Sequence, residues 1–206
     1  MSADESLAQM TLGGFREDIE SRSMPGCGAV AANAAANGLS LVLKGLRLSR
    51  PKDESRDLEA HADLIDRADR LVEELGGYAD EDVAAFKAYL AARKQAGEDE
   101  HGEALDEAVE RINQVPLNTA RACRRALELT LEANEHTRAA LQSDTRAGAQ
   151  LLHAGLCMVL LNVDANIDTL DNAEQREALA KERVALQANA DRLLDGMVTN
   201  GTPQAF

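Results

Sequence analysis

The chain has 206 residues, 45% of them hydrophobic, 28% charged and only 2% aromatic, with no tryptophan. Alanine and leucine make up about a third of it. Both favour helices, whereas sheets want branched and aromatic residues, so the composition excludes an all-β fold and favours an all-helical one. A formal net charge of −14 repels phosphates and anionic headgroups, which excludes nucleic acid and membrane surfaces as main partners.

In chain order, residues 3–21 read as a short helix, with Ser2 and Glu5 at capping-box spacing. Ser23-Met24-Pro25-Gly26-Cys27-Gly28 follows as a loop. From Ala29 to about Leu48 a helix of small apolar residues has a thin waist that another helix or a ligand can approach. A third helix runs from about Glu54 to Leu75, where Gly76-Gly77 stop it. A fourth covers about Asp80 to Lys94, followed by a loop at Gln95–Gly102. The fifth, from Glu103 to about Ala133, contains Pro116, which predicts a kink or break. The sixth, residues 145–170, is apolar nearly all round and belongs in the core. A last amphipathic helix spans about Ala173 to Met197. No repeat or linker divides the chain, so a single domain over 1–206, a bundle of about seven helices, is expected.

The polar, acidic start at Met1–Glu5 lacks the pattern of a signal peptide, and no run of 18 apolar residues suggests a membrane span. Three widely spaced cysteines, Cys27, Cys123 and Cys157, form neither a disulfide framework nor a zinc pattern. A cytoplasmic location is expected. The four histidines show no metal spacing, and His153 reads as a satisfied core histidine.

Four features could carry chemistry. The Pro25-Gly26-Cys27-Gly28 loop enters a helix, where backbone amides can meet an anion or a polar ligand edge; an ordinary tight turn is the alternative. Asn162 and Asn166 share a face of the sixth helix, where they either orient a ligand or bond to a neighbouring helix. Asp144 is either a helix-start residue or a site residue. Asp80-Glu81-Asp82 opens the fourth helix as either first-turn acids or a proton-transfer group. Cys27 beside these glycines is a weak candidate nucleophile.

The order of these pieces resembles the formiminotransferase-cyclodeaminase C-terminal domain family, which includes standalone methenyltetrahydrofolate cyclohydrolases. The resemblance rests on Pro25-Gly26-Cys27-Gly28-Ala29-Val30-Ala31-Ala32, Asp82-Val83-Ala84-Ala85-Phe86 and Val115-Pro116-Leu117. Ser143-Asp144 and Leu160-Leu161-Asn162-Val163-Asp164-Ala165-Asn166 complete it. It implies an all-helical homodimer that binds a tetrahydrofolate derivative near its interface. The implied reactions are hydration of 5,10-methenyl-tetrahydrofolate to the 10-formyl form, or loss of ammonia from 5-formimino-tetrahydrofolate. No metal or redox cofactor is required.

Under this resemblance Asp82 and Lys52 are the candidate catalytic groups. Pro25, Gly26, Cys27, Gly28, Asp144, Asn162 and Asn166 would line the substrate, with Phe86 and Tyr89 as the expected ring contacts. Arg47, Ser49 and Lys52 stand in the family's lysine-rich stretch and would meet the glutamate tail. That stretch, Arg47 to Glu54, departs from the family pattern, so a catalytically impaired folate-binding or helical interaction protein is the alternative. The standalone chain favours the cyclohydrolase over the cyclodeaminase.

Overall fold

The computed structural model describes residues 6–51, 56–96 and 102–199. Among them are six α-helices and no strand: α1 (Leu12–Ser21), α2 (Cys27–Arg47), α3 (Arg56–Ala96), α4 (Glu103–Glu135), α5 (Gln142–Asn166) and α6 (Ala173–Thr199). Short 3-10 turns at Leu7–Gln9, Ala139–Leu141 and Ile167–Thr169 join or precede them. The all-helical expectation holds, with six helices where about seven were expected. The expected capping box at Ser2–Glu5 lies outside the described residues.

The count falls because α3 does not stop at Gly76-Gly77. Leu71, Leu75, Ala79 and Val83 recur at four-residue steps and are buried on both sides of the glycine pair. That continuous apolar stripe outweighs the roughly 1 kcal/mol by which each helical glycine is disfavoured. Asp80-Glu81-Asp82 therefore lies in mid-helix and opens nothing.

Pro116 likewise fails to break α4, which runs unbroken from Glu103 to Glu135. A proline at this position removes the N–H that would bond the carbonyl of Ile112, one turn back. The Asn166 amide nitrogen donates to that carbonyl at 2.8 Å. The side chain of one helix thus replaces the backbone donor missing from another.

At the centre α5 packs on α2, α4 and α6. Ala31, Ala35, Leu39, Val42 and Leu46 of α2 and Leu152, Leu156, Leu160 and Val163 of α5 are all fully buried. The α2–α5 contact is unusually close because glycines line it. A β-carbon on Gly38 would lie 2.8 Å from the Gly148 carbonyl oxygen, and one on Gly155 would lie 2.8 Å from that of Ala31. One on Gly148 would overlap the Gly38 carbonyl oxygen. The thin waist expected of the second helix is thus filled by another helix. Two stretches, Cys27–Arg47 and Ala139–Thr169, reach the length and mean hydropathy (1.2 and 1.3) of a membrane span. In this fold, 56% and 44% of the most apolar 18 residues of each is buried within the bundle.

Candidate active site

Three helices meet where α2 begins. The loop before it contains a cis Met24–Pro25 peptide bond, and Gly26 is the N-cap residue. The first turn of a helix has backbone N–H groups without intrahelical partners and favours negative charge. Here the Ala29 N–H donates to Oδ2 of Asp82 at 3.0 Å. Met10, Phe15, Met24 and Tyr78 pack around Ala29, Ala32, Ala79 and Val83 and hold α3 against the start of α2. Asp80 ties down the N-terminal segment by accepting from Ser6 Oγ at 2.6 Å and the Leu7 N–H at 2.7 Å.

Gly28 makes this meeting possible. A β-carbon there would overlap Asp82 Oδ1, lie 2.5 Å from Asp82 Cγ, and lie 2.8 Å from the Asn162 amide nitrogen. Asp82 of α3 and Asn162 of α5 therefore converge on the backbone of α2. Burial pushes the Asp82 carboxyl above the usual carboxylate range, and the Ala29 N–H only partly offsets this. Such a group holds a proton at a higher pH than an ordinary aspartate, as a group that gives and takes protons must.

Cys27 lies close to Asp82. Its thiol donates to the Met158 carbonyl oxygen at 3.4 Å. Burial and then the nearby Asp82 charge push its pKa up, so it stays a thiol and is a poor nucleophile.

Along α3, Phe86, Tyr89 and Arg93 lie on the same face as Asp82, because steps of four, seven and eleven residues return to one side of a helix. Phe86 is 39% exposed. Its ring stacks on Tyr89 with centroids 6.5 Å apart and planes at 30°. The Arg93 guanidinium donates to the Tyr89 hydroxyl at 2.8 Å. Tyr89 and Arg93 then open into a cleft of about 950 Å³ bounded by α3, α4 and the start of α6, with Asn113, Arg121, Asp168 and Thr169 on its walls. The sequence spacing of Phe86 and Tyr89 locates them correctly on the Asp82 helix. Arg93 escapes notice because it falls where the fourth helix was expected to end.

The other candidate residues lie elsewhere. Gly28 and Arg47 are nineteen helical steps apart, a span of roughly 28 Å at 1.5 Å per residue. There Arg47 donates twice to the carboxylate of Asp69, at 2.6 and 2.7 Å. Asp144 pairs with Lys44 at 2.7 Å, and the Ser49 hydroxyl accepts the Arg138 N–H at 3.0 Å. Lys52 lies outside the described residues. Asn166 does not join Asn162 beside Gly28: its amide serves the Ile112 carbonyl. Within one copy the candidate residues thus fall into two groups at opposite ends of α2. No group of three or more histidine, cysteine or acidic side chains suited to a metal ion occurs among the described residues.

Comparison with known proteins places this geometry among relatives. The profile of the family described as formiminotransferase-cyclodeaminase matches residues 11–185. Methenyltetrahydrofolate cyclohydrolase from Methylorubrum extorquens is 30% identical over 175 residues, which cover 82% of this chain and 84% of that protein. Formimidoyltransferase-cyclodeaminase from Dictyostelium discoideum is 27% identical over 94% of this chain, which spans 36% of that longer protein. The crystal structure of formiminotetrahydrofolate cyclodeaminase from Thermotoga maritima superposes with a TM-score of 0.84 at 20% identity, over 93% of this chain and 96% of that one.

Proposed function

The chain belongs to the formiminotransferase-cyclodeaminase family, and from that membership we propose that it is an enzyme of one-carbon tetrahydrofolate interconversion, acting as a methenyltetrahydrofolate cyclohydrolase. The observation that carries the reading is the Asp82 carboxyl, partly desolvated, hydrogen-bonded to the α2 N-terminus and pressed against Gly28 and Asn162. The cyclohydrolase is favoured over the cyclodeaminase because the chain shares more of its sequence with a cyclohydrolase, at 30% identity, than with the two cyclodeaminases, at 27% and 20%.

The chemistry suits one carboxyl. The methenyl carbon between N5 and N10 is an amidinium-like cation. As water adds to it, a proton must leave the attacking oxygen, and Asp82 as carboxylate takes it. Collapse of the adduct to the 10-formyl product breaks the C–N5 bond: Asp82, now protonated, supplies the proton to N5, and the adduct's hydroxyl proton passes to water, so one proton is released overall. The one-carbon unit keeps its oxidation level throughout, so no redox cofactor is called for. In the reverse sense the same group can serve ammonia loss from a formimino substrate, by protonating the departing nitrogen. Asn162 orients the pterin edge, Gly26, Cys27 and Gly28 shape the backbone wall, and Pro25 sits beneath it. The exposed Phe86–Tyr89 pair offers the flat surface that an aminobenzoyl ring needs.

A second copy of the chain completes the proposal. The outer face of α2 and α5 carries Leu151 and Leu161, 37% and 59% exposed, beside half-buried Ala34, Leu41 and Met158. Apposing two such faces antiparallel about a two-fold axis would carry Arg47, Ser49 and the Lys52 segment of one copy to the Gly26–Gly28 end of the other. There their positive charge would meet the substrate's glutamate carboxylates, Asp144 would keep Lys44 in place, and Lys52 would be the second proton-transfer candidate. A folate-binding protein without catalysis is the alternative; the bond of the Asp82 carboxylate to the Ala29 N–H at the start of α2 supports the enzyme. A cytoplasmic enzyme with no nucleic-acid or membrane partner fits its free cysteines and acidity.

The deciding experiment follows the near-ultraviolet absorbance of the methenyl form. Wild-type protein should accelerate its loss, and Asp82→Asn should abolish the acceleration while leaving folate binding measurable by calorimetry. No acceleration by the wild type would refute the proposal. Mixing Asp82→Asn copies with Arg47→Ala copies should restore part of the activity at substrate concentrations where each variant alone turns over slowly, if the site spans two chains.

A further inference from the structure

A second reactive cluster lies on the other side of α5, facing α6 and unrelated to Asp82. His153 and Cys157 are one turn apart on α5, and Gln187 and Asp191 are one turn apart on α6. The Asp191 carboxylate accepts from His153 Nε2 at 2.7 Å. Cys157 Sγ lies 3.6 Å from His153 Nδ1 and 3.7 Å from Nε2. The Gln187 amide nitrogen reaches both, donating to Cys157 Sγ at 3.2 Å and to Asp191 Oδ1 at 2.8 Å. The cluster is reachable from solvent: the side chains of His153 and Asp191 are 21% and 52% exposed, and Cys157 is half-buried.

Each part has a role that thiol chemistry requires. Asp191 occupies Nε2 and so fixes the ring with its proton there, leaving Nδ1 unprotonated within 3.6 Å of the sulfur. Nδ1 can take the thiol proton, and the Gln187 amide then stabilises the sulfur anion. The two other thiols lack such a base. Cys123 is fully buried and pushed up to about 12, and Cys27 is pushed up by burial and by Asp82.

We propose that Cys157, with His153 as its base, Asp191 as the orienting carboxylate and Gln187 as the donor to sulfur, is a nucleophilic thiol site that takes small-molecule disulfides. The step is an exchange. The Cys157 proton passes to His153 Nδ1, and the thiolate attacks one sulfur of the disulfide. A new S–S bond forms to Cys157 as the old one breaks. The departing thiolate takes the proton from His153, so one disulfide replaces another without external oxidant or reductant.

The test uses the full chain and oxidised glutathione, with the adduct at each cysteine quantified by peptide mass spectrometry over time. Cys157 should gain the mixed disulfide at least tenfold faster than Cys27, and His153→Gln should slow Cys157 by tenfold or more while Cys27 is unaffected. Asp191→Asn, at an exposed position, should slow it by a smaller factor and guards against a His153 variant that fails to fold. Cys157→Ser should remove the fast adduct and leave methenyl-folate turnover unchanged. Equal rates at Cys27 and Cys157, or a Cys157 rate indifferent to both the His153 and Asp191 variants, would overturn the assignment.

Discussion

Replacing Gly28 with alanine probes the site without removing any polar group. The added carbon would lie 2.5 Å from Asp82 Cγ, whereas ordinary contact begins near 3.4 Å. The carboxyl must therefore retreat by about 1 Å, and its 3.0 Å bond from the Ala29 N–H must lengthen or break. A misplacement of that size costs about 100-fold in rate, or roughly 2.7 kcal/mol of transition-state stabilisation. Overpacking should lower folding stability by about 1–3 kcal/mol. The assay is methenyl-folate absorbance at saturating substrate, paired with urea unfolding. Gly77→Ala is the control: nothing lies within 4 Å of its β-carbon position, so activity should hold and stability should rise by up to about 1 kcal/mol. A Gly28→Ala enzyme within threefold of wild type would show that the position of Asp82 does not govern the reaction.

Asp82→Asn should lower kcat by about 10²- to 10⁴-fold. The same variant should raise the melting temperature at neutral pH. Burial holds the Asp82 carboxyl above its unfolded value, so its contribution to stability is present in acid and is lost as pH rises through the folded pKa. The gain from asparagine should accordingly shrink on acidification, and a gain that grows instead would contradict the burial argument. Asn166→Ala should cost about 1–3 kcal/mol by orphaning the Ile112 carbonyl, measured by urea unfolding. In a Pro116→Ala background the backbone donor returns, so the same mutation should cost far less; additive costs would refute the exchange of donors. Arg47→Ala should destabilise the fold by no more than about 1 kcal/mol, since its pair with Asp69 is exposed. Its effect should appear as a raised KM that is larger for substrates with longer glutamate tails.

The helices were legible because their signals are local: apolar residues at three- and four-residue steps, with few prolines to interrupt them. The errors share one cause. At Gly76-Gly77 and at Pro116, tertiary partners overrode a local breaker, through a buried stripe in the first case and a distant asparagine in the second. Asp82 could be placed near the α2 loop only through family resemblance, because no spacing rule links residues 28, 82 and 162. Asn162 and Asn166 share a helix face in the sequence, yet one meets Gly28 and the other meets Ile112. Spacing gives the direction of a side chain, and the packed neighbours decide what it meets. The His153–Asp191 contact was invisible for the same reason, since its halves come from two helices.

The glycine seam between α2 and α5 also has a mechanical consequence. Where helices meet through long side chains, they can shift by exchanging rotamers. At Gly38, Gly148 and Gly155 there are no rotamers to exchange, and backbone bears directly on backbone. No side-chain entropy is lost along that line on folding, and none can be regained by sliding. Gly28 and Asn162 ride on these two helices, so the seam holds the two at a fixed spacing. Asp82 and the aromatic pair face that fixed pair of helices from a third helix, α3.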